Sequence, residues 1–304
     1  MSTGTDPLAP LAQLPGVPDA VAEVRKAVDR LYGHRVMRRR AAEVTSESAL
    51  RGARASAALA GSDWPLEEVR RRSDFGADPE TRTVGASLRI AAEAGQLLSV
   101  WRHSPLQVLA RLHLLAVGDA DPAAGRPRQA GEGVEDLFPL ELKPAEEVAA
   151  DVAPAVVPPA PAGPVPILPA APGPEEVAAR LDQLSRLLVA RAEGQGVGTP
   201  ALVVSSVVHG ELLALRPFGS YNGLIARAAA RIVLIAEGLD PKSICPAEVG
   251  LVELGTDAYR RALAGYLAGT PEGLAAWIGH CGRALRLGVR ESTAVCEAMQ
   301  RGMV

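Results

Sequence analysis

Apolar residues recur along this chain at helical intervals, broken by turns rich in glycine and proline. Val21, Val24, Val28 and Leu31 fall on one face of a 3.6-residue repeat and predict a helix from Pro18 to near Arg40. Further helices are predicted over Ser46 to Leu59, Pro65 to Arg72, Thr83 to Trp101 and Pro105 to Val117. Gly118 and the DADPAAGRP run end the last of these. Pro174, Glu175 and Glu176 make a helix start, with Val177, Leu181, Leu184 and Leu188 along one face. The second half alternates helix and turn: Ala201 to Leu215, Leu224 to Glu237, a loop around Leu239 to Pro246, then Tyr259 to Leu267, Gly273 to Leu287 and Glu291 to Gln300. This order predicts an all-α, multi-helix bundle.

Residues 1 to 17 are rich in Pro, Gly, Ser and Thr and read as a loose tail, with one helical domain over 18 to 304. Residues 119 to 173 form a Pro/Ala/Gly-rich excursion, including PAVVPPAPAGPVPILPAAPGP. Its prolines remove backbone donors and favour extended chain, so a linker or surface flap is expected.

The chain has 304 residues, enough for one large core, and a net charge of -3. Aromatic residues are only 3%, too few to build a large sheet, which strengthens the helical reading. Near-neutral charge supplies no general drive toward nucleic acid or an acidic membrane, so neither is an expected partner. The Arg38-Arg39-Arg40 and Arg70-Arg71-Arg72 runs sit beside acidic residues and read as solvated helix faces. Cys245, Cys281 and Cys296 are odd in number and lack metal-ligand spacing, and the N-terminus lacks a signal-peptide pattern. A cytoplasmic setting is expected.

The stretch LRPFGSYNGLIARAAAR, from Leu215 to Arg231, places a turn with Pro, two Gly and Asn between two apolar helices. Free N–H groups and the dipole at the second helix's start favour an anion there. An ordinary helix-turn-helix elbow has the same composition.

This stretch resembles the Fic (Fido-fold) signature HPFxDGNGRxxR. Pro217, Phe218, Asn222, Gly223 and Arg227 match it, while Arg216 stands at the histidine, Ser220 at the acidic residue, Tyr221 at the first glycine and Leu224 at the first arginine. Ser56, Ala60 and Gly61 resemble the family's inhibitory helix, patterned SxxxEG, with Ala60 in place of the glutamate. LARLHLLAVG and AGRPR, from Leu109 to Arg128, are similar to the helix and loop before the family's flap. PAAPGPEEVAARLDQL is similar to the flap's exit, and the helices after Asp257 to those after the motif. The resemblance covers about residues 45 to 288 in the family's order.

It implies a Fido-type bundle with a small flap and a Pro/Ala-rich insertion. It also implies an ancestral AMP transferase in which the histidine is general base, the acidic residue holds a divalent metal, and glycines and arginines bind phosphates. The departures remove these roles: arginine has no lone pair to act as a base, and a serine is a poor ligand for a hard cation. A protein that no longer transfers AMP is therefore expected. ATP with Mg²⁺ remains a cofactor only if the pocket is retained, and no metal or catalytic residue is assigned. Arg216, Ser220, Asn222, Gly223 and Arg227 are the candidate ligand-binding residues. Arg216 and Arg227 read either as a clamp on a phosphate or carboxylate or as members of structural ion pairs.

His209 reads as a packing residue, and His103, His113 and His280 show no ligand spacing. The GxGxG at Gly194, Gly196 and Gly198 follows a helix, which argues against a dinucleotide loop. Three functions stay open: a ligand- or partner-binding pseudoenzyme, a transferase with altered chemistry acting on a protein hydroxyl, and a scaffold using the Pro-rich segment. The expected partner is an unidentified protein or a small anion, and a homodimer is compatible with all three.

Overall fold

Gly16, at φ +79°, turns the chain into α1 (Val17–Tyr32), whose first turn holds a proline where the absent N–H has no helical partner to lose. The computed structural model describes residues 6–76, 78–118, 121–145, 164–194 and 198–303. α1 buries Val17, Ala20, Val24, Val28 and Leu31 and stops at Gly33; Arg35–Arg38 form a separate 3-10 turn instead of continuing to Arg40. α2 (Ala41–Leu59) and α3 (Leu66–Arg71) follow. α4 (Pro79–Glu93) begins with a capping box in which Asp78 and Thr81 satisfy each other's backbone N–H. The predicted helix to Trp101 is broken by a 3-10 turn at Ala94–Leu97, which carries Gly95, and resumes as α5 (Leu98–Trp101). α6 (Pro105–Val117) has the predicted bounds, closed by Gly118 at φ +87°.

The second half contains α7 (Pro174–Ala192), α8 (Ala201–Leu215), α9 (Asn222–Ala236), α10 (Ala247–Leu254), α11 (Thr256–Ala268) and α12 (Pro271–Gln300). α10 was not predicted; it is short and follows directly on Pro246. The two helices expected after Gly273 are one 30-residue helix, α12. Gly288 does not break it: a Cβ there would stand 2.4 Å from the Pro246 carbonyl oxygen, so glycine serves close approach. Gly250 of α10 faces the Ala284 carbonyl in the same way, which packs α10 and α12 almost backbone to backbone.

α8 is apolar on nearly every side and lies at the centre, packed against α9, α11 and α12. One core gathers its C-terminal half with α6, α7, α9 and α11; a second joins its first turn to α1 and α12. Among the described residues there is no strand, and no helix is long and apolar enough to cross a membrane.

One expectation needs correction. Residues 6–16, read as a loose tail, are folded: Leu8 is buried, Ala9–Gln13 form a 3-10 turn, and Asp6 meets Arg191 at 2.7 Å and the Thr199 hydroxyl at 2.6 Å. Of the Pro-rich excursion, 119–120 and 146–163 lie outside the described residues, as does Gly196. Residues 164–173 have no helix or strand, and the segment is pinned to the body because Pro169 and Pro172 accept hydrogen bonds from Arg216 and Arg128. The arginine runs are solvated and paired where acids adjoin, as in Arg40 with Glu43 and Arg70 with Glu47 and Glu67.

Candidate functional site around the Arg216 to Arg227 loop

Leu215 ends α8 and Asn222 begins α9, so residues 216–221 must reverse the chain. The reversal uses two left-handed residues, Arg216 at φ +43° and Tyr221 at φ +59°. Neither is glycine, and each carries a steric cost of roughly 1–2 kcal/mol that its neighbours must offset. Asn222 holds the turn together: Oδ1 accepts from the Phe218 N–H at 2.9 Å and Nδ2 donates to the Phe218 carbonyl at 2.7 Å. Phe218 stacks on His113 of α6 with centroids 4.3 Å apart, and His113 Nδ1 accepts from the Gly125 N–H. Burial lowers the His113 pKa to about 4, so the ring is neutral at working pH.

Arg216 donates Nη2 to the Pro169 carbonyl at 2.7 Å, while its buried Nε has no partner. Arg128 holds the same turn from outside. Its Nε donates to the Arg216 carbonyl at 2.8 Å, Nη2 donates to Pro172, and its backbone N–H donates to the Pro217 carbonyl at 2.8 Å. Arg128 is buried, and the resemblance alone had not assigned it this part.

Arg227 is 4% exposed and donates Nε to Ser56 Oγ at 2.8 Å and Nη2 to the Ser56 carbonyl at 2.9 Å. Thus the helix expected to carry an inhibitory acid does reach Arg227, through Ser56 one turn before Ala60. Arg216 and Arg227 are turned to different partners. Neither has an ion pair within 4.0 Å among the described residues, and each is held by carbonyl or hydroxyl contacts in place of the anticipated structural ion pairs.

The N-terminus of α9 carries a carboxylate that sequence reasoning missed. Asn222 N–H donates to Glu135 Oε1 at 2.5 Å, and Glu135 N–H donates to the Gly219 carbonyl at 3.3 Å. Burial raises the Glu135 pKa above the usual carboxylate range; the N–H groups of Tyr221, Asn222 and Gly223, and the charge of Arg227, pull it back. Ser220 is half-buried, and Leu224 is buried in the main core. Among the described residues no three His, Cys, Asp or Glu side chains gather as a metal site.

Behind the loop, His209 Nε2 lies 2.6 Å from the Tyr259 hydroxyl, and both rings pack on Trp277. Burial holds His209 at a pKa of about 3. His209 is therefore a neutral core residue. Beside it, a cavity of about 40 Å³ is lined by Ser205, Ser206, Arg227, Glu248 and Cys281 among others, large enough for a few waters.

No family model and no curated protein matches this sequence. Solved structures do match. A Fic family protein from Desulfovibrio desulfuricans aligns with a TM-score of 0.66 at 21% identity over 92% of this chain and 75% of that one. Fic-1 from C. elegans aligns with a TM-score of 0.57 at 14% identity over 93% of this chain and 73% of that one, and a substituted form of it aligns equally well. Such identities establish architecture and leave chemistry to the residues. This all-α chain has the fold of the Fic family proteins.

Proposed function

We propose that this protein is a Fic-fold pseudoenzyme: it does not transfer AMP, and it works by binding a ligand or partner. The observation that carries this is Arg216, which stands where a general base is required and spends its guanidinium on the Pro169 carbonyl. A guanidinium has no acceptor lone pair and stays protonated in proteins, so it takes no proton from a hydroxyl.

The other groups agree. Ser220 offers a neutral hydroxyl where Mg²⁺ selects carboxylate oxygen. Tyr221 brings a ring to the loop where glycine would admit phosphate, and Leu224 places an apolar side chain in the core where a cation would neutralise it. Glu135 already satisfies N–H groups at the start of α9. These residues do not fit ATP with Mg²⁺.

Partner binding has its own support in the Pro-rich segment. Arg216 and Arg128 fix residues 164–173 against the turn, yet Ile167 stays 96% exposed. Incubating the purified protein with ATP and Mg²⁺ and measuring its intact mass tests the reading. An unchanged mass is expected, and self-adenylylation that requires Asn222 overturns it.

A further inference from the structure

We infer that Glu135 is a built-in anion that keeps the cradle at the start of α9 closed to external anions. The inference rests on the reading above, since it explains why a loop shaped for an anion would be unavailable to one.

A helix start needs acceptors for its free N–H groups, and these usually come from the N-cap side chain. Here the N-cap residue is Tyr221, whose side chain makes no capping bond. The acceptor comes instead from a residue far away in sequence, Glu135, at 2.5 Å from Asn222 N. Arg227 supplies the second part. It is a buried cation with no ion pair within 4.0 Å among the described residues, and its charge bears on Glu135. A buried charge needs an opposite one, and Glu135 provides it. Removing the Glu135 carboxylate therefore leaves the Asn222 N–H without its acceptor and withdraws a negative charge that acts on the buried Arg227.

The loop that carries Glu135 is fixed on both sides. Arg128 N–H bonds the Pro217 carbonyl, and further on Phe138 meets the edge of Tyr259 with centroids 5.0 Å apart. Leu142 N–H then bonds Thr256 Oγ1 at 3.0 Å. Between Arg128 and Glu135 lie Gly131 and Gly133, around which no atom would meet an added Cβ within 4 Å. The carboxylate thus sits on a short, open span between two anchors. Glu135 is half-buried, so its carboxylate is partly withdrawn from water and gains from the backbone N–H donors it meets.

The test titrates inorganic phosphate, then ATP without metal, into wild type, Glu135→Ala and Glu135→Gln by calorimetry. Wild type is expected to give no saturable heat. Glu135→Ala is expected to bind at least about tenfold more tightly than the wild-type limit, because the competing internal anion is gone. Glu135→Gln keeps the shape and an acceptor but not the charge, and is expected to show a smaller gain. If Glu135→Ala does not fold, the isosteric Glu135→Gln decides the question. Adding Arg227→Ala to either variant should abolish the gain. Wild-type binding as tight as that of the variants overturns the proposal, as do folded variants that bind nothing. The two readings part cleanly: self-adenylylation of wild type with ATP and Mg²⁺ would sink the pseudoenzyme reading while tighter phosphate binding by Glu135→Ala still upholds the internal anion, and folded variants without that gain do the reverse.

Discussion

Arg227 and Ser56 are joined twice, guanidinium Nε to the serine hydroxyl and Nη2 to its carbonyl, so one residue of α2 satisfies a cation buried at the heart of the motif helix. Ser56→Ala removes one acceptor and leaves a buried charged donor exposed to no water. It is expected to destabilise the fold by about 1–3 kcal/mol, read from urea denaturation at neutral pH. Ala60→Glu, which writes back the acid that the resemblance lacks, should not recover that loss, because Ser56 and not residue 60 makes the bonds.

The buried pair Arg231 and Glu248, at 2.7 Å, supports a different prediction. Glu248→Ala leaves an uncompensated guanidinium and is expected to cost about 3–5 kcal/mol, whereas replacing both partners together with Met and Leu should cost far less. Chemical denaturation of the single and double variants checks this. Equal losses would mean that packing and not charge governs the site.

How much of this was legible beforehand depends on whether the signal is local. α6 and α8 have the bounds the sequence gives because proline, or a proline just before, opens each and a helix-ending residue closes it. Gly288 falls in the gap between the two predicted helices and is a contact: its meaning lies in the Pro246 carbonyl across the helix pair, which no local pattern contains. Asp6 lies in a stretch with turn composition, and its partners Arg191 and Thr199 are remote. Glu135 was invisible for the same reason. It is one of three acids in GEGVEDL, none marked out by spacing, and only the folded loop brings it to Asn222. Conversely, Arg216, Asn222 and Arg227 were found by motif, but their bonding partners could not be.

Stability should fall as acid is added. Burial holds His209 and His280 at pKa values of about 3 and His113 at about 4, all below the unfolded value near 6.5. In the window between these values the unfolded chain binds protons that the native state refuses. Stability is therefore complete above about pH 6.5 and is lost as pH falls toward 4, each ring contributing up to about 1.4 kcal/mol per pH unit. Glu135 acts in the opposite sense, since its raised pKa lets the folded state take a proton first. Urea midpoints at pH 7 and pH 5 measure the balance; a midpoint that is higher at pH 5 would contradict it.

The N-terminal anchor predicts a local effect. Asp6→Ala removes the acceptor shared by Arg191 and the Thr199 hydroxyl, though Arg191 keeps Glu237. A loss of about 1–2 kcal/mol is expected, with faster hydrogen exchange over residues 6–14. Unchanged exchange would mean that Leu8 burial alone holds the segment.

The most direct measurement offers labelled ATP and Mg²⁺ to the protein in a lysate and follows label on protein hydroxyls by mass spectrometry, with Asn222→Ala as control. The account predicts no adenylylated peptide above that control. Labelled peptides made by wild type and lost in Asn222→Ala would contradict it and restore this loop to catalysis.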